Sequence, residues 1–283
     1  MLADAARAPS GAAGAPWGTH APRGRARLLL WLARHTPLGR GKLRGALLNA
    51  FLNAHPGPVD TTLWSAPVRL DPSSNMSEQK PLLRLDRYDR PERAAMLETL
   101  DRPGAVLVDI GANMGLYCLD AVLHGPEGVR ALAVEPQPAM VERLAFNFAH
   151  LKQARVRGAD GLELHPVALS SASGVVRLDV GGKEHLAQVV EQGGVEVRAL
   201  TLLALLDEAG VSAPDVIKID IEGHEGEVLG PFLEDAPDDR LPRRILIEHL
   251  HAEEWTRDVT GLLAKRGYHE ARRWRANAAW DRG

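Results

Sequence analysis

Two short segments hold the residues whose types and spacing could do chemistry. The first reads Val108-Asp109-Ile110-Gly111-Ala112-Asn113-Met114-Gly115, with Glu135 following 24 residues after Gly111. Gly111 permits a sharp turn with positive φ, and Gly115 lets a ligand or helix approach the backbone closely. An ionised carboxylate at 135 accepts hydrogen bonds only, so it suits the two hydroxyls of a ribose. A dinucleotide site asks for G-x-G-x-x-G and a pyrophosphate on the helix N-terminus. Here the middle glycine is replaced by Asn113, and the acidic Asp109 precedes the turn. Both features favour a cofactor carrying a cationic ammonium and sulfonium. Asp109, Gly111, Asn113, Gly115 and Glu135 are the cofactor-binding candidates, and a plain strand–turn–helix is the alternative.

The second segment, Val216-Ile217-Lys218-Ile219-Asp220-Ile221-Glu222-Gly223-His224-Glu225, ends an apolar run in charged residues. Side chains alternate along a strand, so Lys218, Asp220 and Glu222 are expected to share one face. A hydroxyl nucleophile needs a base, and a carboxylate or imidazole at a ligand crevice supplies one. The catalytic candidates are Asp220, Glu222, Lys218 and His224. Asp220 has a turn or cap acceptor as its alternative, Glu222 divides evenly, and His224 reads better as structural. A buried Lys218 requires an anionic partner, with Asp220 or Glu222 expected. Glu248, His249 and His251 with Asp220 and Glu222 have donors that suit a divalent metal. Polar residues at a strand end meeting solvent are the favoured reading of this group, and no metal is assigned.

These residues need elements to position them. Ala105–Ile110, Val129–Val134, Leu162–Leu169, Val216–Ile221 and Arg244–Glu248 read as buried strands. Leu116–His124, Pro138–Leu151 and Thr256–Arg266 read as helices, and Thr201 as the cap of another ending at Gly210. Val175–Val180 and Val195–Ala199 read as a hairpin around a Gly-rich excursion. Strands alternating with helices imply a parallel sheet covered on both faces, with ligands beyond the strands' carboxyl ends.

VDIGANMG (108–115), AVEPQP (133–138), VALSSASGVVRL (167–178) and VIKIDIEGHE (216–225) together resemble the FkbM family of methyltransferases, over roughly residues 75–268. The resemblance implies an α/β, Rossmann-like doubly wound methyltransferase sheet; the first 60 residues, which read as an N-terminal helical extension, lie outside it. It also implies S-adenosyl-L-methionine as donor and O-methylation of a hydroxyl on a sugar or secondary metabolite. Asp109, Gly111, Asn113, Gly115 and Glu135 match its cofactor positions; Asp220 and Glu222 match the segment bordering its active site. A nicotinamide-dependent oxidoreductase on the same fold and a non-catalytic nucleotide-binding module are the rival readings.

Three segments are expected: a disordered Ala/Gly/Pro-rich tail over 1–22, a basic helical extension with short strands over 23–90, and the methyltransferase domain over 91–283. Within 25–54 two helical stretches are expected, the second with Leu43, Leu47, Leu48, Phe51 and Leu52 on one stripe. A helix is expected from Pro91 to Leu100. Residues 1–59 carry eight basic side chains against Asp4 alone, a net of +7, so the remainder is −10 within a total of −3. Such an arm can dock on the chain's own acidic body, build a homodimer, or make peripheral contact with an anionic membrane; nucleic acid ranks below these. The acceptor is expected to be a small molecule or glycan. With 45% hydrophobic and 25% charged residues the composition is that of a globular protein. The apolar Leu28–Leu32 stretch is far short of the roughly 20 residues of a membrane span. The single cysteine, Cys118, excludes an internal disulfide framework and fits a cytoplasmic location.

Overall fold

The computed structural model describes residues 14–39, 41–179, 188–190 and 193–283. The tail expected over 1–22 lies outside them as far as residue 13, as does most of the Gly-rich excursion. The chain divides into two compact units, one of residues 1–88 and 142–154, the other of 89–141 and 155–283. No helix among the described residues is long and apolar enough to cross a membrane.

The first unit contains α1 (Gly24–His35), α2 (Leu43–Ala54), β1 (Val59–Leu63), β2 (Ala66–Leu70) and α3 (Gln79–Arg84). Of the apolar stripe expected on α2, Phe51 is buried while Leu43 is exposed, as are Leu28 and Trp31 on α1. Strands β1 and β2 pair antiparallel and bring Asp60 opposite Arg69. The guanidinium grips that carboxylate at 2.7 and 3.1 Å, and the N–H groups of Gly18 and His20 donate to the same group. The planar fork of arginine matches a carboxylate, which makes such a pair strong when buried.

The second unit contains α4 (Arg90–Thr99), β3 (Val106–Ile110), α5 (Leu116–His124) and β4 (Arg130–Val134). Helix α6 (Pro138–Gln153) follows, its residues from Glu142 counted with the first unit. Next come β5 (Leu162–His165), β6 (Ala168–Leu169), β7 (Gly174–Asp179), β8 (Gln188–Val190), β9 (Val195–Leu200) and α7 (Leu202–Glu208). The remainder is β10 (Val216–Ile219), α8 (Glu225–Asp235), β11 (Arg244–Glu248), α9 (Val259–Lys265), β12 (Tyr268–Arg273) and β13 (Asn277–Arg282). Seven strands form the main sheet in the order β12-β13-β11-β10-β3-β4-β5. From β11 to β5 neighbours run parallel, and β13 and β12 are antiparallel. This is the expected Rossmann-like α/β fold.

Period-two alternation decides which face each strand residue serves. Val106, Val108 and Ile110 of β3, Ile217 and Ile219 of β10, and Ile245 and Ile247 of β11 share one apolar cluster with residues of α7, α8 and α9. Asp109 and Lys218 fall on the other face, towards α5. Thr201 caps α7 by accepting from the Ala204 N–H, as its type and position suggested.

Several expectations require correction. The run Leu162–Leu169 is two strands in different sheets, because Pro166 offers no N–H to continue a ladder. Strand β10 stops at Ile219 rather than Ile221, and α9 begins at Val259, capped by Asp258, rather than at Thr256. The expected parallel sheet is present from β11 to β5 and carries the antiparallel strands β13 and β12 at one edge. Its β12–β13 hairpin escaped notice because β12, Tyr268–Arg273, is an exposed, charged edge strand with no apolar alternation.

Candidate active site

Strand order reverses at β3: the chain proceeds outward through β4 and β5 on one side, and β10 and β11 lie on the other. The crevice at the carboxyl ends of β3 and β10 is where doubly wound sheets bind ligands. Both sequence segments meet there.

The loop after β3 is set by three positive φ angles, at Gly111 (75°), Asn113 (50°) and Gly115 (74°). Asparagine tolerates this region better than other side-chain-bearing residues, which explains Asn113 where a glycine might stand. Gly111 is required for a second reason. A Cβ there would lie 2.0 Å from the Asp220 carbonyl oxygen, so the two crevice loops touch through a bare backbone. The N–H groups of Gly111 and Ala112 donate to the Val134 carbonyl. Glu135, just past β4, accepts from Asn113 N at 2.8 Å and Gln137 N at 3.0 Å. Burial pushes its carboxyl up to about 7 against the pull of those two N–H groups.

Lys218 and Asp109 are register partners on adjacent parallel strands. Lys218 Nζ lies 3.4 Å from Asp109 Oδ1, 3.5 Å from Asp220 Oδ2 and 3.4 Å from the Gly111 carbonyl oxygen. The Tyr117 ring sits under the ammonium, 5.2 Å from its centroid. Burial alone would lower the Lys218 ammonium, but Asp109, Asp220 and Asp89 outweigh it and hold it above the ordinary lysine value. Burial raises Asp109, and Lys218 offsets part of that. The sequence pointed to Asp220 and Glu222 as partners of Lys218; Asp109 stands in place of Glu222. Since β10 ends at Ile219 and Glu222 has a φ of 53°, strand alternation does not extend to Glu222.

The turn 220–225 is organised by Glu225, a residue the sequence reading passed over. It is fully buried. Its Oε1 accepts from Ile221 N at 2.8 Å, and its Oε2 from Gly223 N at 3.1 Å and Trp255 Nε1 at 2.9 Å. The legible signal was a carboxylate at the first position of a helix, within reach of the N–H groups of the turn that precedes it. Glu222 faces the segment after β11, with Oε2 3.2 Å from His251 Nε2. His224 meets Ser170 Oγ at 3.3 Å, and burial lowers its imidazole. His249 meets the Trp274 carbonyl oxygen. Glu248 ends β11 with Oε2 buried and without a hydrogen-bond partner among the described residues. Burial first, then Asp220, Glu225 and Glu222, raise its carboxyl to about 7.

Residues 109–270, more than half the chain, match the model of the methyltransferase FkbM domain. The chain belongs to the FkbM methyltransferase family. The FkbM segment opens on Asp109 itself and includes Glu135, Lys218, Asp220, Glu222, Glu225 and Glu248. Among relatives is the 31-O-demethyl-FK506 methyltransferase FkbM of Streptomyces tacrolimicus, 27% identical over 59% of this chain and 74% of its own length. The hexuronic acid methyltransferase AglP of Haloferax volcanii is 26% identical over 56% of this chain and 62% of its own length. The crystal structure of methyltransferase FkbM from Methylobacillus flagellatus KT is 18% identical, covering 72% of this chain and 54% of that one, with a TM-score of 0.43. The magnesium protoporphyrin IX methyltransferase ChlM from Synechocystis PCC 6803 with bound SAM is 12% identical over 74% of this chain and 85% of that one, with a TM-score of 0.42.

Proposed function

We propose that this FkbM-family protein is an S-adenosyl-L-methionine-dependent O-methyltransferase acting on a hydroxyl of a sugar or secondary metabolite. The observation that carries the cofactor is Glu135. A carboxylate buried past the second strand, with its oxygens fixed by the N–H groups of Asn113 and Gln137, retains further lone pairs for a ribose diol. Asp109 and Asp220 stand beside the single ammonium of Lys218, so the crevice holds more carboxylate than cation. That balance fits a donor with a positive sulfonium and ammonium and repels a pyrophosphate, which argues against a nicotinamide dinucleotide.

Glu135 would hold the ribose, and the 111–115 loop would support the nucleoside. When bound, the donor supplies a sulfonium methyl group, whose transfer to an acceptor oxygen leaves a neutral thioether and one proton to be removed. Asp220 is the proposed base. Its carboxylate is partly exposed and held from one side by Lys218, which orients it without a direct part in the chemistry. Lys218 is thus a positioning residue, as is buried Asp109. His224, paired with Ser170, supports the turn. The acceptor class rests on the relatives, whose names specify 31-O-demethyl-FK506 and a hexuronic acid.

Thermal-shift assays with S-adenosylhomocysteine, NAD and NADP added separately test the cofactor. Stabilisation by S-adenosylhomocysteine alone is expected, and stabilisation by a dinucleotide alone refutes the assignment. Transfer of a labelled methyl group to a panel of hexuronic acids, neutral sugars and 31-O-demethyl-FK506 then tests the acceptor class.

A further inference from the structure

At the carboxyl end of β11, beside the proposed base, three side chains from two chain segments converge. One ligand atom each of Glu222, Glu248 and His251 lies within 4.8 Å of the others. We infer that Glu222, Glu248 and His251 form a site for a divalent first-row metal ion, of the manganese or zinc kind, which binds the acceptor through two adjacent oxygen atoms. The acceptor part of this inference rests on the methyltransferase reading; the metal part stands on the geometry.

Two carboxylates and one imidazole are a donor set for such ions. Glu248 is only 5% exposed, and its Oε2 has no hydrogen-bond partner among the described residues. A buried carboxylate oxygen without a donor is costly, and a metal ion satisfies it. His251 is already oriented as a ligand. Its Nδ1 lies 3.1 Å from Glu254 Oε1 while its Nε2 points to Glu222. A carboxylate on one ring nitrogen fixes the tautomer that presents the other nitrogen's lone pair to a metal. The backbone keeps this arrangement close: Gly223 has a φ of 97°, and a Cβ there would lie 2.8 Å from Glu254 Oε2. Glu222 itself holds a left-handed conformation, with φ 53°, a strain that recurs where a side chain must be aimed.

The side chains of Glu222 and His251 are each more than one third exposed. An ion held by three protein ligands with an open side keeps positions for solvent or substrate, as catalytic sites do. A vicinal diol or a hydroxy acid fills two such positions and loses its hydroxyl proton more readily on the ion. Asp220, two positions before Glu222 in the same turn and held by Lys218 at 3.5 Å, would receive that proton.

Calorimetric titration of the EDTA-treated full-length protein with MnCl2, and separately ZnCl2, is expected to show one ion per chain. Glu248→Gln and His251→Ala are each expected to weaken binding at least 100-fold, and Glu254→Gln about tenfold. The same samples are titrated with S-adenosylhomocysteine, whose affinity should change less than threefold in Glu248→Gln, which also verifies folding. No binding of either ion to the wild type, or binding unchanged in Glu248→Gln and His251→Ala, overturns the site. Failure of S-adenosylhomocysteine to bind while the ion still does refutes the cofactor reading instead.

Discussion

Lys218 Nζ stands 3.4 Å from Asp109 Oδ1, a contact between register partners on the two strands that flank the sheet's switch point. Both side chains are almost fully buried. The pair therefore locks the two strand ends that carry the 111–115 loop and the Asp220 turn. Removing one partner leaves an uncompensated buried charge. Lys218→Met should destabilise the protein by about 3–5 kcal/mol, and adding Asp109→Asn should recover part of that loss. Urea unfolding of the two single variants and the double variant measures the coupling. Strict additivity would mean that the pair does not act as a unit.

If Glu135 holds the ribose as proposed, cofactor affinity should depend on pH. Its carboxyl is raised to about 7 in the free protein, and ribose hydroxyls bind best to the ionised form. Affinity for S-adenosylhomocysteine should therefore fall as the solution is acidified below about 7, by up to tenfold per pH unit, and level off above it. Calorimetry between about pH 5.5 and 8.5 checks this. Glu135→Gln should bind weakly with the step abolished. A flat wild-type profile would remove Glu135 from the ribose.

Gly111 and Asn113 should respond in opposite ways to small substitutions. Gly111→Ala adds a left-handed penalty of about 1–2 kcal/mol and drives a methyl group into the Asp220 carbonyl. Loss of cofactor binding together with a lowered melting temperature is expected. Asn113→Gly keeps the backbone N–H that donates to Glu135 and should bind the cofactor nearly normally, whereas Asn113→Val should not. Thermal shift with and without S-adenosylhomocysteine distinguishes them.

Glu225 is expected to matter for stability without touching either substrate. Glu225→Ala leaves the Ile221 and Gly223 N–H groups and the Trp255 indole without their acceptor. Each unsatisfied buried donor costs about 1–3 kcal/mol, so a fall of several kcal/mol in denaturant stability is expected. Glu225→Gln, which retains one carbonyl oxygen, should lose less. Equal losses would show that the packing of the side chain, not its acceptors, holds the turn.

Asp220→Asn should reduce single-turnover methyl transfer by about 10²–10⁴-fold and change S-adenosylhomocysteine affinity by only a few-fold. Unchanged turnover would exclude Asp220 as the base.

Much of the site was legible in the chain itself. Apolar strand runs ending in Asp109, Glu135 and Asp220 marked the crevice, because a buried parallel strand must be continuously apolar and its charged residues gather where it ends. Arg244–Glu248 coincides with β11 for the same reason, and Leu116–His124 coincides with α5. Glycine spacing located the tight turn. Less visible was β12, since its side chains alternate no apolar face, and so was the split of Leu162–Leu169 between two sheets.

Local composition determined the α/β class, the switch-point loop and the identity of its carboxylates, since periodicity and turn chemistry act over a few residues. Which groups meet was decided only by tertiary structure. Strand order set Asp109, 109 positions away in sequence, against Lys218. The left-handed turn at Glu222 sent that carboxylate to His251 and Glu248 rather than to Lys218. Pairing across a sheet depends on register and order between distant segments, and neither is written in the residues of any one of them.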